Sequence, residues 1–206
     1  MMRNPGNMII PQSQCIRLSV LLFFLAAPAV RAETPVRLAQ HERRFRAVAQ
    51  QIWEYAELAW REDRSAALLR DALRESGFRI DDNLAGIPTA FSASWGNGVP
   101  VIAVLGEYDA LPGLSQQATL ERRPRPEATT GHGCGHNLLG AGSAWAAVAI
   151  KEEMEARGLK GTIRFYGTPA EESGGGKVYM ARAGAFDDVD VILAWHPADH
   201  NGATLE

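Results

Sequence analysis

The sequence predicts a layered α/β domain whose sheet is largely parallel or mixed and is flanked by helices. Two short runs, residues 101–105 and 191–195, are apolar throughout, which is typical of central strands that helices cover on both faces. Strand and helix patterns alternate along the chain between these runs, an order typical of such layered sheets. The chain has 206 residues, 46% of them hydrophobic and 22% charged, which is sufficient for one sizeable core or two small ones and excludes a disordered or fibrous chain.

The first part of the chain predicts two amphipathic helices. Thr34 is suited to cap the first helix, with Pro35 at its first position. Apolar residues then recur at mostly helical spacing: Leu38, Phe45, Val48, Ile52, Ala56 and Ala59. The second helix is predicted over residues 65–76, and Gly77 is its glycine stop.

Three strands are predicted next, over residues 78–80, 89–95 and 101–105. Asn97 and Gly98 form the dipeptide typical of a tight hairpin turn, so we expect the second and third of these strands to pair as a hairpin.

The second half of the chain begins with a predicted exposed loop over residues 120–130, which is rich in Pro and Arg. Four elements are predicted after it: a helix over residues 137–157 closed by Gly158, a strand over residues 162–166, a helix over residues 176–183 and a strand over residues 191–195.

Residues 1–32 have the pattern of a secretory signal peptide. Arg3 and Arg17 precede an apolar run over residues 18–27, and Val30 and Ala32 are small residues at the −3 and −1 positions of a cleavage site. The apolar run is too short to cross ~30 Å of hydrocarbon as a helix, which argues against a membrane anchor. We therefore expect cleavage after Ala32, export to the periplasm or the medium, and no membrane attachment of the mature protein.

Charge and cysteine content exclude further classes of protein. The 21 basic and 24 acidic residues give a net charge of −3, and short groups such as Arg122, Arg123 and Arg125 do not form a strongly basic stretch, so nucleic acid is not an expected partner. Cys15 and Cys134 are too few for a disulfide framework, and Cys15 lies within the predicted signal peptide.

The residues capable of chemistry follow the predicted strands. Glu107 and Asp109 follow one strand, the pair Glu171 and Glu172 follows the next, and His196 follows the last. Ligands bind beyond the carboxyl ends of strands in open α/β sheets, so we expect these segments to converge. Cys134 and His136 lie in a glycine-rich loop before a helix, and thiolate, imidazole and carboxylate together are metal ligands.

Other features of these segments have simpler interpretations. His132 lies in the same loop, and we favour a hydrogen-bonded supporting role over metal ligation. Three glycines before Lys177 do not make a phosphate-binding loop, because that motif needs glycine in place of Glu171 and Ser or Thr in place of Val178. His41 and His200 are expected at the surface, although His200 could lie near the mouth of the site.

Four segments resemble the motifs of one known family. They are GEYDALP (residues 106–112), GHGCGHN (131–137), TPAEE (168–172) and WHP (195–197). They are similar to the dinuclear metallopeptidase/amidohydrolase family, which contains aminoacylases, indole-acetyl-amino-acid hydrolases and carboxypeptidases. Residues 106–115 and 186–190 resemble its aminobenzoyl-glutamate hydrolase branch. The resemblance extends from about residue 52 to the end, and four motifs in order make it specific.

The resemblance implies a zinc-peptidase-like catalytic domain with two divalent ions, either zinc or manganese. It implies four metal ligands: Cys134, His136, Glu172 and His196. Glu171 would be the general base and acid, and Asp109 would orient a ligand or the base. Glu107 stands where other branches have a histidine ligand, and we give it no ligand role. Thiolate and imidazole favour zinc, whereas carboxylates also permit manganese. The residues that bind substrate stay unknown.

The activity implied is hydrolysis of an amide bond in N-acyl amino acids, aminobenzoyl-glutamate-like compounds or dipeptides. A metal-activated water would attack, and Glu171 would take its proton and return it to the leaving amine. Cys134 could instead be a nucleophile with His136 or His196 as its base, but neighbouring acids raise a thiol pKa and favour the ligand role. The alternatives are an exported metal-binding protein without turnover and an inactive fragment.

The family also takes one histidine ligand from far downstream, and its lid and dimerisation domain is inserted after the strand that carries His196. The present sequence ends at Glu206, before both. We therefore expect residues 33–206 to be the N-terminal part of the catalytic domain and not a competent hydrolase alone. A homodimer is expected only for the full-length protein.

Overall fold

The computed structural model describes residues 36–200 and residue 202. The elements within them follow one another in this order: α1 (Val36–Tyr55), α2 (Asp63–Glu75), β1 (Arg79–Asp82), a 3₁₀ turn (Leu84–Gly86), β2 (Phe91–Asn97), β3 (Val101–Gly106), β4 (Leu111–Pro112), β5 (Thr130–Gly131), α3 (His136–Arg157), β6 (Gly161–Gly167), α4 (Glu171–Gly174), α5 (Gly176–Arg182) and β7 (Val191–Leu193). The predicted signal peptide, Thr34 and Pro35 lie outside the described residues.

The main sheet has five strands in the order β1-β2-β6-β3-β7. Strand β3 is parallel to both β6 and β7, whereas β2 is antiparallel to β6 and to β1. The sheet is therefore mixed, and three parallel strands direct their carboxyl ends to the same edge. This arrangement confirms the predicted fold class.

Helices cover both faces of the central strands. On one face α1, α2 and α3 pack over the sheet, and Phe45, Ile52, Leu69 and Phe165 are among their fully buried contacts. On the other face a smaller cluster joins Met180 of α5 to the sheet. The apolar stripes of the helices thus bury the strands that support the site.

Two strand predictions were wrong. The Asn97-Gly98 signal favours a local hairpin, but β6 lies between β2 and β3 and pairs with both. The run over residues 191–195 is apolar throughout, yet β7 is an edge strand in the described sheet and Val191, Ile192 and Leu193 are all exposed. Strand order and coverage depend on parts of the chain distant in sequence, which a local pattern does not contain.

Other elements agree with the predictions except in detail. The glutamate pair, for which no element was predicted, lies on a short helical turn, α4. Thr130, placed in the exposed loop, pairs with Pro112 instead. His41 is not a free surface residue, because its Nε2 lies 2.6 Å from Glu152 Oε1 and joins α1 to α3. Among the described helices, none has both the length and the apolar character needed to cross a membrane.

Candidate metal centre

The carboxyl ends of the three parallel strands bring the predicted site residues together. Strand β3 ends at Gly106 and β6 ends at Gly167, and the Thr168 N–H donates to the Gly106 carbonyl at 2.9 Å. This contact keeps the segments that carry Glu107 and Glu171 side by side. The expected convergence at this edge is confirmed.

Asp109 is the buried anchor of the site. Its side chain is 0% exposed; Oδ1 lies 2.9 Å from His136 Nδ1 and Oδ2 accepts the backbone N–H of Glu172 at 2.9 Å. One carboxylate thus fixes both the ring of His136 and the start of α4. A hydrogen-bonded carboxylate behind an imidazole sets its tautomer and direction, as in many metal sites.

His136 faces three carboxylates with its second ring nitrogen. Its Nε2 lies 2.9 Å from Glu107 Oε2 and 3.9 Å from both Glu171 Oε2 and Glu172 Oε1. We call Glu107, Glu171 and Glu172 the acid side. None of these oxygens is aligned to hydrogen-bond with Nε2, which is buried without a partner, as is Glu172 Oε1. Buried polar atoms without partners are uncommon, so these two atoms are available to a ligand.

Cys134 and His196 form the other half, which we call the thiol side. Cys134 Sγ lies 3.3 Å from His196 Nε2, and the rings of His136 and His196 meet edge to face with centroids 5.6 Å apart. Gly135, at φ 80°, precedes α3, and a Cβ there would lie 3.2 Å from Pro197. A glycine therefore permits both the turn and the close approach of the His196 segment.

Charge at the site favours a cation. Burial lowers the pKa of His136, but Asp109 and Glu107 outweigh it and raise that pKa to about 10. Burial raises the pKa of Glu107, but contacts with His136 and Lys177 bring it to about 2. Burial, then Glu172 and the other acids, raise the pKa of the Cys134 thiol to about 11. The site thus stabilises positive charge and opposes a free thiolate.

The donor set fits divalent metal ions. The ligand atoms of Cys134, His136 and His196 lie within 4.8 Å of one another, and the same holds for Glu107, His136 and Glu171. His136 belongs to both groups. Soft sulfur, imidazole nitrogen and carboxylate oxygen are the ligands of zinc and of related divalent ions. His136 Nε2 and Glu172 Oε1 are both buried without a hydrogen-bond partner, although Glu172 belongs to neither of the two groups.

The remaining histidines lie outside these groups. His132 is buried, its Nε2 lies 3.0 Å from the Ile52 carbonyl oxygen, and burial lowers its pKa to about 4. This agrees with the favoured supporting role. His200 is exposed and contacts Asp199 at 2.7 Å, as a surface residue would.

Sequence reasoning missed two supporting residues and undervalued a third. Glu62 is fully buried, and its Oε1 accepts the N–H of Ala170, the left-handed residue (φ 56°) that precedes the glutamate pair. Lys177 contacts Glu107, and Glu107 itself lies against His136. A lone glutamate before a helix has no sequence signal for such a role. For the contact between Glu107 and His136, the signal available in the sequence was the position of Glu107 within the GEYDALP motif.

Comparison with known proteins agrees with this geometry. Residues 103–205, half of the chain, match the sequence profile of peptidase family M20/M25/M40. One of the subunits of the p-aminobenzoyl-glutamate hydrolase of Escherichia coli K12 is 52% identical over 159 residues, which are 75% of this chain and 32% of that protein. The mouse Xaa-Arg dipeptidase is 32% identical over 182 residues, which are 82% of this chain and 38% of that protein.

A solved structure shows the same likeness. A Bacillus subtilis protein, described as a dinuclear metal-binding peptidase of the M20 family, superposes with a TM-score of 0.67 and 27% identity, covering 78% of this chain and 44% of that one. The present chain spans about a third of the length of the curated relatives cited above. The match to the family profile, the relatives and the shared fold confirm the resemblance read from the four motifs, and the chain belongs to peptidase family M20/M25/M40.

Proposed function

We propose that the protein containing this chain hydrolyses an amide bond in N-acyl amino acids, aminobenzoyl-glutamate-like compounds or dipeptides, with two divalent ions at the site described above. One observation carries the proposal: His136 is fixed by Asp109 at one ring nitrogen and presents the other, partnerless, to three carboxylates. The names of the relatives, an aminobenzoyl-glutamate hydrolase and a dipeptidase, support this substrate range.

Four side chains would hold the ions: Cys134, His136, Glu172 and His196. Divalent ions bound there would supply a lowered water pKa and polarisation of the scissile carbonyl. Glu107 stays outside this set in the proposal, because Lys177 already provides it with a cationic partner. Asp109 would act through its hydrogen bonds, holding His136 and the backbone of Glu172 in position.

Glu171 would move the proton. Its side chain is 42% exposed, whereas Glu172 and Glu107 are 16% and 13% exposed. A base must reach the attacking water and then the leaving amine, so the accessible glutamate of the pair suits the role. The less exposed neighbour, Glu172, suits the role of ligand.

The contact between Cys134 and His196 is also the geometry of a nucleophile and its base. The charges favour ligation instead. Burial and the acid side raise the pKa of the thiol to about 11, so little thiolate would form at neutral pH without a cation. Bound zinc or manganese would remove that obstacle by taking the thiolate as a ligand.

Turnover is the direct test of the proposal. The longest reading frame that contains the chain should release amino acid from N-acyl amino acids with added Zn²⁺ or Mn²⁺, and chelation should abolish the release. Glu171→Gln should lower turnover by ~10²–10⁴-fold. The matched control is Glu155→Gln, at a position on the exposed part of α3 where Lys151 is the partner. Equal turnover in Glu171→Gln and Glu155→Gln would refute the role of Glu171.

Export is a separate part of the proposal, supported by the composition of residues 1–32. N-terminal sequencing of the mature protein from the producing cell should begin at Glu33. A mature protein that still begins at Met1 would contradict it.

A further inference from the structure

A pocket of about 620 Å³ opens beside the thiol side of the metal centre. Its lining includes His132, Cys134 and Asn137 of the glycine-rich loop, together with Trp53 of α1. We call it the His132 pocket. Its volume lies in the range of small-molecule sites, and of the residues named here only Cys134 takes part in the proposed reaction.

Two side chains of this lining are buried, and each has one polar atom without a partner. His132 and Asn137 are each 5% exposed, and neither His132 Nδ1 nor Asn137 Oδ1 has a hydrogen-bond partner. Buried polar atoms in native proteins nearly always have one. Because both residues line the pocket, the two atoms point to a ligand that binds there.

The second polar atom of each side chain determines the chemistry of the free one. His132 Nε2 lies 3.0 Å from the Ile52 carbonyl oxygen, which can only accept, so Nε2 carries the hydrogen and Nδ1 of the neutral ring has a lone pair. Asn137 Nδ2 donates to the Ala49 carbonyl at 3.3 Å, so Oδ1 is the free atom. Both free atoms are therefore acceptors, and carbonyls of α1 hold both side chains in place.

The lining of the His132 pocket carries no Asp, Glu, Lys or Arg among the described residues. The arginine of the adjacent cavity, Arg125, pairs with Glu54 and Glu127. An ammonium group in the pocket would lose water without gaining a counter-charge, and a carboxylate would meet two acceptors instead of donors, so both are unfavourable. The pocket thus favours an uncharged group with N–H or O–H donors.

Three of the more exposed polar side chains of the lining are engaged within their own segments. Gln50 donates to Glu54 of the same helix at 2.8 Å, and Thr119 donates to the Glu121 carbonyl at 3.1 Å. The amide of Gln116 both donates to and accepts from the backbone of its own loop. A ligand in the pocket therefore gains most from the two buried acceptors.

We propose that the His132 pocket binds an uncharged ligand group through its N–H or O–H donors, which His132 Nδ1 and Asn137 Oδ1 accept. The pocket then discriminates by hydrogen bonding, because a ligand of the same shape without donors leaves both atoms unpaired. This preference belongs to the pocket alone and depends neither on turnover nor on which half of a substrate lies there.

Benzamide and acetophenone test this preference, because they have nearly the same shape and the same carbonyl acceptor but only benzamide has N–H donors. Both are titrated by ligand-observed NMR against the chelated protein made from the longest reading frame that contains the chain, so that no bound ion competes for the carbonyl. We expect benzamide to bind about tenfold more tightly, since an unpaired buried acceptor is costly. This comparison needs no variant.

Two variants place the preference at the proposed atoms. His132→Gln keeps a donor for the Ile52 carbonyl but has no atom equivalent to Nδ1, and Asn137→Leu removes Oδ1 at similar size. Each should lower the ratio of the two affinities several-fold. Asn97→Leu is the matched control, because Asn97 is exposed and lines a separate cavity with Lys160. It should leave the ratio unchanged.

Three results would overturn the proposal. Equal affinities of the wild type for benzamide and acetophenone would show that the two buried atoms hold water only. No binding of either ligand would show that the pocket is not a site for such groups. A ratio that survives both His132→Gln and Asn137→Leu would place the preference elsewhere on the protein.

Discussion

The acid side and the thiol side of the centre differ in how the fold holds them. On the acid side, Asp109 fixes the backbone of Glu172, Glu62 fixes that of Ala170, and Lys177 contacts Glu107. On the thiol side, Cys134 contacts His196, which is exposed and whose Nδ1 lies 2.9 Å from its neighbour's carbonyl, that of Pro197. Hydrogen bonds to Asp109 and Glu62 therefore preorganise the acid side, whereas we expect the thiol side to become ordered only when an ion binds.

This difference predicts that metal binding is weakened most by substitution of Asp109, which supports the acid side. Asp109→Asn keeps the shape but leaves one acceptor oxygen for two donors, His136 Nδ1 and the Glu172 N–H. We expect metal affinity to fall by ~10–100-fold. Calorimetric titration with Zn²⁺ measures it.

The control for this variant is Asp71→Asn, since Asp71 is an exposed partner of Arg74 on α2. It should bind metal like the wild type. If both variants bound Zn²⁺ equally well, Asp109 would not support the centre.

The thiol side should change most between the metal-free and metal-loaded protein. In a Cys15→Ser background, Cys134 is the one remaining thiol. Bound metal should slow its alkylation by about tenfold or more, because coordination occupies the thiolate, and a chelator should restore the rate. Equal rates with and without chelator would remove Cys134 from the ligand set.

The smallest effect on metal affinity is expected at Glu62, which touches backbone rather than a ligand. Glu62→Ala leaves the buried Ala170 N–H unpaired, so unfolding free energy should fall by ~1–3 kcal/mol. Glu62→Gln keeps a carbonyl acceptor and should restore most of that loss in chemical denaturation. A Gln variant as unstable as the Ala variant would show that the hydrogen bond to Ala170 is not what Glu62 contributes.

The sequence predicted the edge of the sheet where the site lies more accurately than the sheet itself. Glu107, Glu171 and His196 each follow a strand, and because parallel strands end at a common edge their convergence needed no knowledge of strand order. The hairpin predicted at Asn97 was wrong because strand order, unlike convergence at one edge, depends on residues distant in sequence. A turn signal is local, whereas insertion of β6 between β2 and β3 depends on residues about 65 positions away.

Besides strand order, the sequence pattern also could not predict which residues are buried. Residues 101–105 and 191–195 are both apolar runs, but β3 lies between β6 and β7 while β7 has a neighbour on one side only among the described strands. Glu62 shows the converse case, a charged residue type that is fully buried because it serves a backbone N–H distant in sequence. Tertiary contacts decide both cases.

The central claim is that Glu172 holds metal while its neighbour Glu171 moves the proton, and metal content tests it most directly. The wild-type chain, Glu171→Gln and Glu172→Gln are equilibrated with limiting Zn²⁺ or Mn²⁺, dialysed and analysed for bound metal. We expect equal metal in the wild type and Glu171→Gln, and a marked loss in Glu172→Gln. Loss of metal in Glu171→Gln with retention in Glu172→Gln would contradict it.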